Sequence, residues 1–139
     1  SGEVGYPVID VCVRLCDVQI HESESTDVAF QIAATEAVTH ALRDNITLLE
    51  PVMHLEVTVP EQFLGPVTAD LQARRAEISE LTSRGNLRTI IAQAPLAAMF
   101  DYADAVRSLT QGRASYTMEP RRYAPAPDDV LRRLLGMDA

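Results

Sequence analysis

The sequence predicts an α+β fold built on one four-stranded antiparallel sheet, and three observations carry that reading. "VMHLEVTVP" alternates apolar and polar residues, with Met53, Leu55, Val57 and Val59 on one face, and stops at Pro60. "AEISELTS" and "LRTIIAQAP" read as two strands joined through "SRGN", a turn with Gly85-Asn86 at its tip. "LAAMFDYADAVRSLTQ" carries Leu96, Met99, Phe100, Ala103 and Val106 at helical spacing, and Gly112 ends it.

The remaining elements fall into order around these. "YPVIDVCVRLC" places Ile9, Val11, Val13 and Leu15 on one face and Asp10, Cys12, Arg14 and Cys16 on the other, the pattern of a half-buried strand. After the polar loop "DVQIHESES" a helix starts at Ser25 or Thr26, either of which can cap it, with Asp27 complementing the dipole. Its apolar stripe is Phe30, Ala33, Ala34, Ala37, Ala41 and Leu42, and it ends near Asp44-Asn45. One strand and one helix cannot bury themselves, so this piece needs a partner. At "NITLLEP" Pro51 bars helix continuation and a new strand begins. A helix over 61–75 follows the first sheet strand, with Pro66 in its first turn and Val67 and Leu71 on its core side. "ASYTMEP" is the last strand, "APAP" a stiff linker and "DDVLRRLLGM" a short amphipathic helix with a capping Asp. From Met53 to Glu119 the order is therefore β-α-β-β-α-β, the ferredoxin-like split βαβ, preceded by the strand-helix half of a second α+β domain.

Composition narrows the function classes. The chain's 139 residues suffice for one domain plus part of another, and 47% hydrophobic content supports a core. No apolar run reaches the roughly 18–20 residues that span a bilayer, so no membrane partner is expected. Ser1-Gly2 in place of an initiator Met is expected to be a cloning remnant, and the chain a piece of a longer protein. Cys12 and Cys16 would sit ~13 Å apart on a strand, too far for a disulfide, and no metal-ligand spacing surrounds them. They are expected to be free thiols in a cytoplasmic protein.

The net charge of −8 argues against nucleic acid until its distribution is read. Residues 1–60 hold ten acids and two arginines, a net −8, whereas 61–139 hold ten of each. Residues 74–123 hold eight arginines against five acids, which makes that region locally positive. No nucleophile–histidine arrangement, paired catalytic carboxylates or phosphate-binding loop appears, so catalysis by this chain alone is not expected. "PEQFLG" lacks the anion cradle of an acylphosphatase-like enzyme. "MHLEVTV" and "LRTIIAQ" lack the aromatics on which an RNA-recognition motif stacks bases.

"RSLTQGRASYTME" remains as the candidate site. It places Arg107, Ser108, Gln111 and Arg113 together at one exposed end of the sheet, where guanidinium forks and hydroxyls suit phosphate and sugar oxygens. The plainer alternative is that Gln111-Gly112 turns the chain and Arg107 solvates a helix end. Arg74, Arg75 and Arg84 are further candidates, with ion pairs to Glu77 or Glu80 an equal reading for them.

"GYPVIDV", "LLEPVMHLEVTVPEQFLGPVTADLQARR", "SRGN", "PLAAMFDYADAVRSLTQGRASYTME" and the closing Y-x-P-x-P together resemble the C-terminal part of elongation factor G, a translational GTPase. The resemblance runs from about Gly5 to Tyr123. It implies that 1–48 is the C-terminal half of the family's fourth domain (strand, tip loop, helix) and 49–123 its ferredoxin-like fifth domain. Residues 124–139 would be a linker and a terminal helix that packs back on the fourth domain. It implies that Arg107, Ser108 and Gln111, with Arg113 beside them, face the sarcin–ricin loop of large-subunit rRNA. Arg74, Arg75 and Arg84 would lie in the domain that approaches the L11 stalk base. His21 would sit in the tip loop that meets tRNA and mRNA at the decoding centre, whereas His40 and His54 have no motif around them. GTP and Mg would bind an upstream domain outside this chain. The implied function is promotion of tRNA and mRNA translocation by a cytoplasmic, monomeric, ribosome-dependent GTPase. Relatives that act in ribosome recycling or ribosomal protection share the architecture, and a stand-alone ferredoxin-like interaction module is the competing class. The sequence departs from the family where Val18 replaces a usual Gly, Glu24-Ser25-Thr26 a usual Asp-Ser-Ser, Ala76 a usual Gly, Ala98 a usual Glu and Asp101 a usual Gly.

Overall fold

The computed structural model describes residues 5–134 and 136, and they fall into two compact units. Leu48–Ala126 forms one unit, and the residues up to Thr47 together with those from Pro127 form the other.

The larger unit is the expected sheet. Its strands are β1 (Leu49–Pro60), β2 (Glu77–Arg84), β3 (Leu87–Pro95) and β4 (Ser115–Pro125), in spatial order β2-β3-β1-β4 with every neighbouring pair antiparallel. Met53, Leu55, Val57 and Val59 of β1 are buried while His54, Glu56 and Thr58 are not, so the alternation read from the sequence is the actual in-out pattern. Ile90, Ala92 and Ala94 of β3 join that inner face. Val67 and Leu71 from one helix, and Tyr102 and Val106 from the other, complete a single core, which puts both helices on the same side of the sheet.

The helix expected over 61–75 is a 3-10 turn, Glu61–Phe63, followed by α2 (Leu64–Ala73). The helix expected from Leu96 is also broken: a 3-10 turn, Leu96–Ala98, precedes α3 (Tyr102–Leu109). The interruption at Met99 to Asp101 shifts the phase of the stripe, so Phe100 is 81% exposed rather than in the core. β4 also runs further than expected, through Pro120 to Pro125, and takes in half of the "APAP" stretch. As an edge strand it tolerates prolines, and a bulge opposite Val52 and Met53 leaves Arg121 unpaired in the ladder.

The smaller unit contains α1 (Asp27–Leu42), capped by Thr26, whose side chain accepts from the Ala29 N–H at 3.2 Å. Here the structure corrects the sequence reading twice. Residues 6–16 are not a strand: no described segment pairs with them, and Asp10 takes a left-handed φ of 57° that breaks the extended run. The expected stripe of α1 is not buried either; none of its residues is, and Phe30 is 39% exposed. The physical reason is the one the sequence already contained, that one extended segment and one helix offer too little apolar surface to close a core. α4 (Asp128–Leu134) forms where a terminal helix was expected; Leu135 and Met137 of that expectation lie outside the described residues.

Candidate nucleic-acid interface

Strand register decides which candidate residues share a location. Ser115 lies opposite Thr58, Thr58 opposite Thr89, and Thr89 opposite Thr82, so the start of β4, the end of β1 and the β2–β3 hairpin tip occupy one end of the sheet. α3 runs back to that end before β4 begins. Arg107, Ser108, Gln111 and Arg113 therefore come together there, and Arg84 at the hairpin tip lies at the same end. α2 runs the other way, which leaves Arg74 and Arg75 at the opposite end, where β2 starts.

The loop after α3 has a defined shape. Gln111 and Gly112 both adopt left-handed conformations, with φ of 53° and 77°. Glycine takes that conformation freely, whereas a glutamine there costs roughly 1 kcal/mol and needs its surroundings to hold it. The Gly112 N–H donates to the Arg107 carbonyl at 2.8 Å and the Arg113 N–H to the Thr110 carbonyl at 3.0 Å, a pairing that satisfies carbonyls at the helix end. Thr110 is fully buried; its hydroxyl donates to the Val106 carbonyl at 2.7 Å and accepts from the Ala114 N–H at 3.1 Å.

Above this frame the polar side chains face solvent. Arg107 is 69% exposed and pairs with Asp104 at 3.2 Å, one turn back on α3, with Asp104 itself 88% exposed. Pairs exposed to that degree contribute about 0–1 kcal/mol, so Asp104 does not prevent the guanidinium from turning to another anion. Ser108, Gln111, Arg113 and Arg84 are exposed, and Arg84 and Arg113 make no ion pair among the described residues. The negative end of the α3 dipole lies here, so any affinity for phosphate rests on the guanidinium groups, not on the helix terminus.

Arg74 and Arg75 are different in kind. The Arg74 side chain is only 13% exposed and bonds Asp70 at 2.9 Å, Asp101 at 2.6 Å and the Ala98 carbonyl at 2.7 Å. It also lies over the Tyr102 ring, 5.4 Å from its centroid. The hydrogen bond to Asp101 chiefly, and that to Asp70 further, raise its already high pKa, while Arg74 holds the Asp101 carboxyl below its ordinary value. Arg75 meets Glu50 through two nitrogens, at 3.1 and 2.9 Å. Ion pairs were an expected alternative for these arginines, but their partners are Asp70, Asp101 and Glu50, not Glu77 or Glu80. Asp70 lies one helical turn before Arg74, but spacing along the chain could not reveal Asp101 and Glu50, which come from elements that only the fold brings near.

In the smaller unit His21 is exposed at a tight turn. Its carbonyl accepts from the N–H groups of Glu24 and Ser25 at 3.2 and 3.0 Å, and its own N–H donates to the Ser25 hydroxyl at 2.7 Å. Val18, where the family resemblance has glycine, does not need a left-handed backbone. Sequence reasoning did not single out Thr110 or Asp101. A threonine just before Gln-Gly at a helix end is a weak signal for the first, and the second was marked only as a departure from the family's usual glycine.

Among the described residues no group of three His, Cys, Asp or Glu is placed to hold a metal ion, and no helix is long and apolar enough to cross a membrane. Cys12 and Cys16 are free and exposed. The sequence contains no Gly-x-x-x-x-Gly-Lys-Ser/Thr loop.

Comparison with known proteins accounts for both units. The sequence model "Elongation factor G C-terminus" matches residues 47–134, and "Elongation factor G, domain IV" matches residues 1–45. Elongation factor G of Fervidobacterium nodosum is 46% identical over 132 residues, that of Pseudothermotoga lettingae 48% and that of Thermotoga maritima 42%. Each alignment covers 94% of this chain and 19% of the relative, so the chain spans about a fifth of the length of the relatives it matches. A crystal structure of a Thermus thermophilus protein superposes with a TM-score of 0.68 at 38% identity, covering 84% of this chain and 18% of that one. With family matches over both units and a shared antiparallel α+β fold, the chain belongs to the elongation factor G family.

Proposed function

We propose that this chain is the ribosome-docking C-terminal part of a ribosome-dependent translational GTPase that promotes tRNA and mRNA translocation in the cytoplasm. In this reading residues 49–123 are the fifth domain and 1–48 the C-terminal half of the fourth. The linker and terminal helix are 124–139, and GTP and Mg bind in a domain that lies elsewhere in the protein. The observation that carries it is the α3–β4 loop, where a rigid backbone presents Arg107, Ser108, Gln111 and Arg113 to solvent without strong internal partners. Their expected partner is the sarcin–ricin loop of large-subunit rRNA. Contact of this kind is made mainly to phosphates and weakens as salt rises.

Arg84 stays in the reading as a possible contact to the same subunit near the L11 stalk base. Arg74 and Arg75 act structurally, because their guanidinium groups are already taken up by carboxylates. His21 serves at the exposed turn of the tip loop, in contact with tRNA and mRNA at the decoding centre, by shape and hydrogen bonding and not by proton transfer.

The test is Arg107→Ala in the intact gene product. Ribosome-stimulated GTP hydrolysis should fall about tenfold at sub-saturating ribosomes, the loss of one charge-assisted contact, with nucleotide affinity unchanged. Unaltered stimulation would remove the docking assignment. A parallel single-round translocation assay separates the roles open to the family: hydrolysis without movement of tRNA and mRNA would transfer the protein to recycling or protection.

A further inference from the structure

We propose that Thr110 is the positioning residue of the docking loop: its buried hydroxyl fixes the left-handed Gln111-Gly112 backbone and thereby sets the direction in which Arg107, Gln111 and Arg113 meet RNA. This rests on the docking reading above and goes beyond it, because Thr110 itself is fully buried and touches no partner.

A single oxygen connects the two ends of the loop. It donates to Val106, inside α3, at 2.7 Å and accepts from Ala114, immediately before β4, at 3.1 Å. The three residues that lie between Thr110 and Ala114 are Gln111, Gly112 and Arg113. Within that span the Arg113 N–H returns to the Thr110 carbonyl at 3.0 Å and the Gly112 N–H to Arg107 at 2.8 Å, so the loop is closed on both sides of Thr110. The hydroxyl is the only side-chain group in these bonds, and it counters the tendency of Gln111, a residue with a Cβ, to leave a φ of 53°. Without it the Ala114 N–H loses its partner, and the loop gains freedom that binding must then remove.

Thr110→Val removes the hydroxyl and keeps the branched shape, while Thr110→Ser keeps the hydroxyl and removes a methyl. Binding of both variants, in the intact gene product, is measured on purified large ribosomal subunits over a salt series, with melting curves and hydrogen exchange at the Ala114 amide. Thr110→Val should bind about tenfold more weakly with a shallower salt slope, since one phosphate contact is lost. Thr110→Ser should restore the wild-type affinity and slope. Combined with Arg107→Ala, Thr110→Val should add much less than its separate effect, as coupled residues do.

Full affinity in a folded Thr110→Val variant, or effects additive with Arg107→Ala, would overturn the proposal while leaving the docking reading intact. Loss of affinity in Thr110→Ser as large as in Thr110→Val would overturn it too, because the hydroxyl would then not be what matters. If Arg107→Ala itself leaves binding unchanged, the docking reading fails and takes this proposal with it. Should Thr110→Val not fold, the serine variant and the wild-type Ala114 amide decide: strong protection with wild-type binding supports the role, and exchange at the rate of an open loop rejects it.

Discussion

In the sheet unit Leu55, Val57, Val59, Val67, Leu71 and Ile90 are fully buried, while in the smaller unit Val13 is 68% exposed and Leu15 80%. β1 and residues 6–16 were read from the same kind of pattern, strict apolar-polar alternation, so pattern is not what separates them. β1 lies between β3 and β4 and below two helices, which gives its inner residues neighbours on every side. Residues 6–16 have α1 and no paired strand among the described residues. Alternation thus records which side chains a segment is able to bury, and the partner decides whether they are buried.

The largest expected effect tests that contrast directly. Leu71→Ala should lower the stability of the sheet unit by about 3 kcal/mol, the usual cost of emptying a closed core site. Val13→Ala should change stability by less than ~0.5 kcal/mol in this chain, since its side chain is already largely in water. Urea titrations of both variants provide the comparison; equal losses would mean that the smaller unit has a core of its own.

Next in size is the clamp around Arg74, which joins the end of α2 to the turn before α3. Arg74→Ala leaves the Ala98 carbonyl and two carboxylates without their donor, and should cost about 2 kcal/mol at neutral pH. The effect depends on acid in a defined direction. Asp101 has a depressed pKa in the folded state because of Arg74, so its contribution is complete above the ordinary value of 3.8 and is lost as pH falls through the lower, folded value. The stability gap between wild type and Arg74→Ala should therefore narrow below pH 3.8, and a gap that stays constant there would show that Asp101 contributes nothing.

Smallest is a gain. Tyr102 Oη is buried without a hydrogen-bond partner among the described residues, while its ring packs edge-on to Tyr116 with centroids 5.2 Å apart. Tyr102→Phe keeps the ring and removes the unsatisfied hydroxyl, so it should be neutral or stabilising by up to ~1 kcal/mol. Burial first, and Asp70 second, push the phenol above its ordinary value of 10.0. A raised pKa contributes stability that is complete below 10.0 and is lost as pH rises through the folded value, so wild type should weaken in strong alkali more steeply than the phenylalanine variant. A measured loss in the variant at neutral pH would mean that the hydroxyl has a partner after all.

The candidate site shows how far sequence carries and where it stops. Arg107, Ser108, Gln111 and Arg113 were legible because helix spacing, a terminating glycine and a following strand place them within one short junction. Arg84 was legible only as a hairpin-tip arginine; that it shares an end of the sheet with Arg107 follows from antiparallel register, which joins residues more than twenty positions apart. The same register puts Arg74 and Arg75 at the far end, although by charge and exposure class they read in sequence as equals of Arg84. Thr110 was hidden for a simpler reason. A hydroxyl next to a helix end reads as a solvated polar group until packing shows it to be the fully buried link between α3 and β4.

By itself the sequence determined the order of elements in the sheet unit, the alternation that names its inner face, a helix cap at Ser25 or Thr26 and the residues of the α3–β4 junction. These are local properties, set by dihedral preference and by periods of two and 3.6 that each segment carries alone. Tertiary structure alone decided that Phe100 falls out of the core, that Arg74 is held by Asp101, and that Arg75 is held by Glu50. Each depends on what lies across space from the residue, which no spacing along the chain encodes.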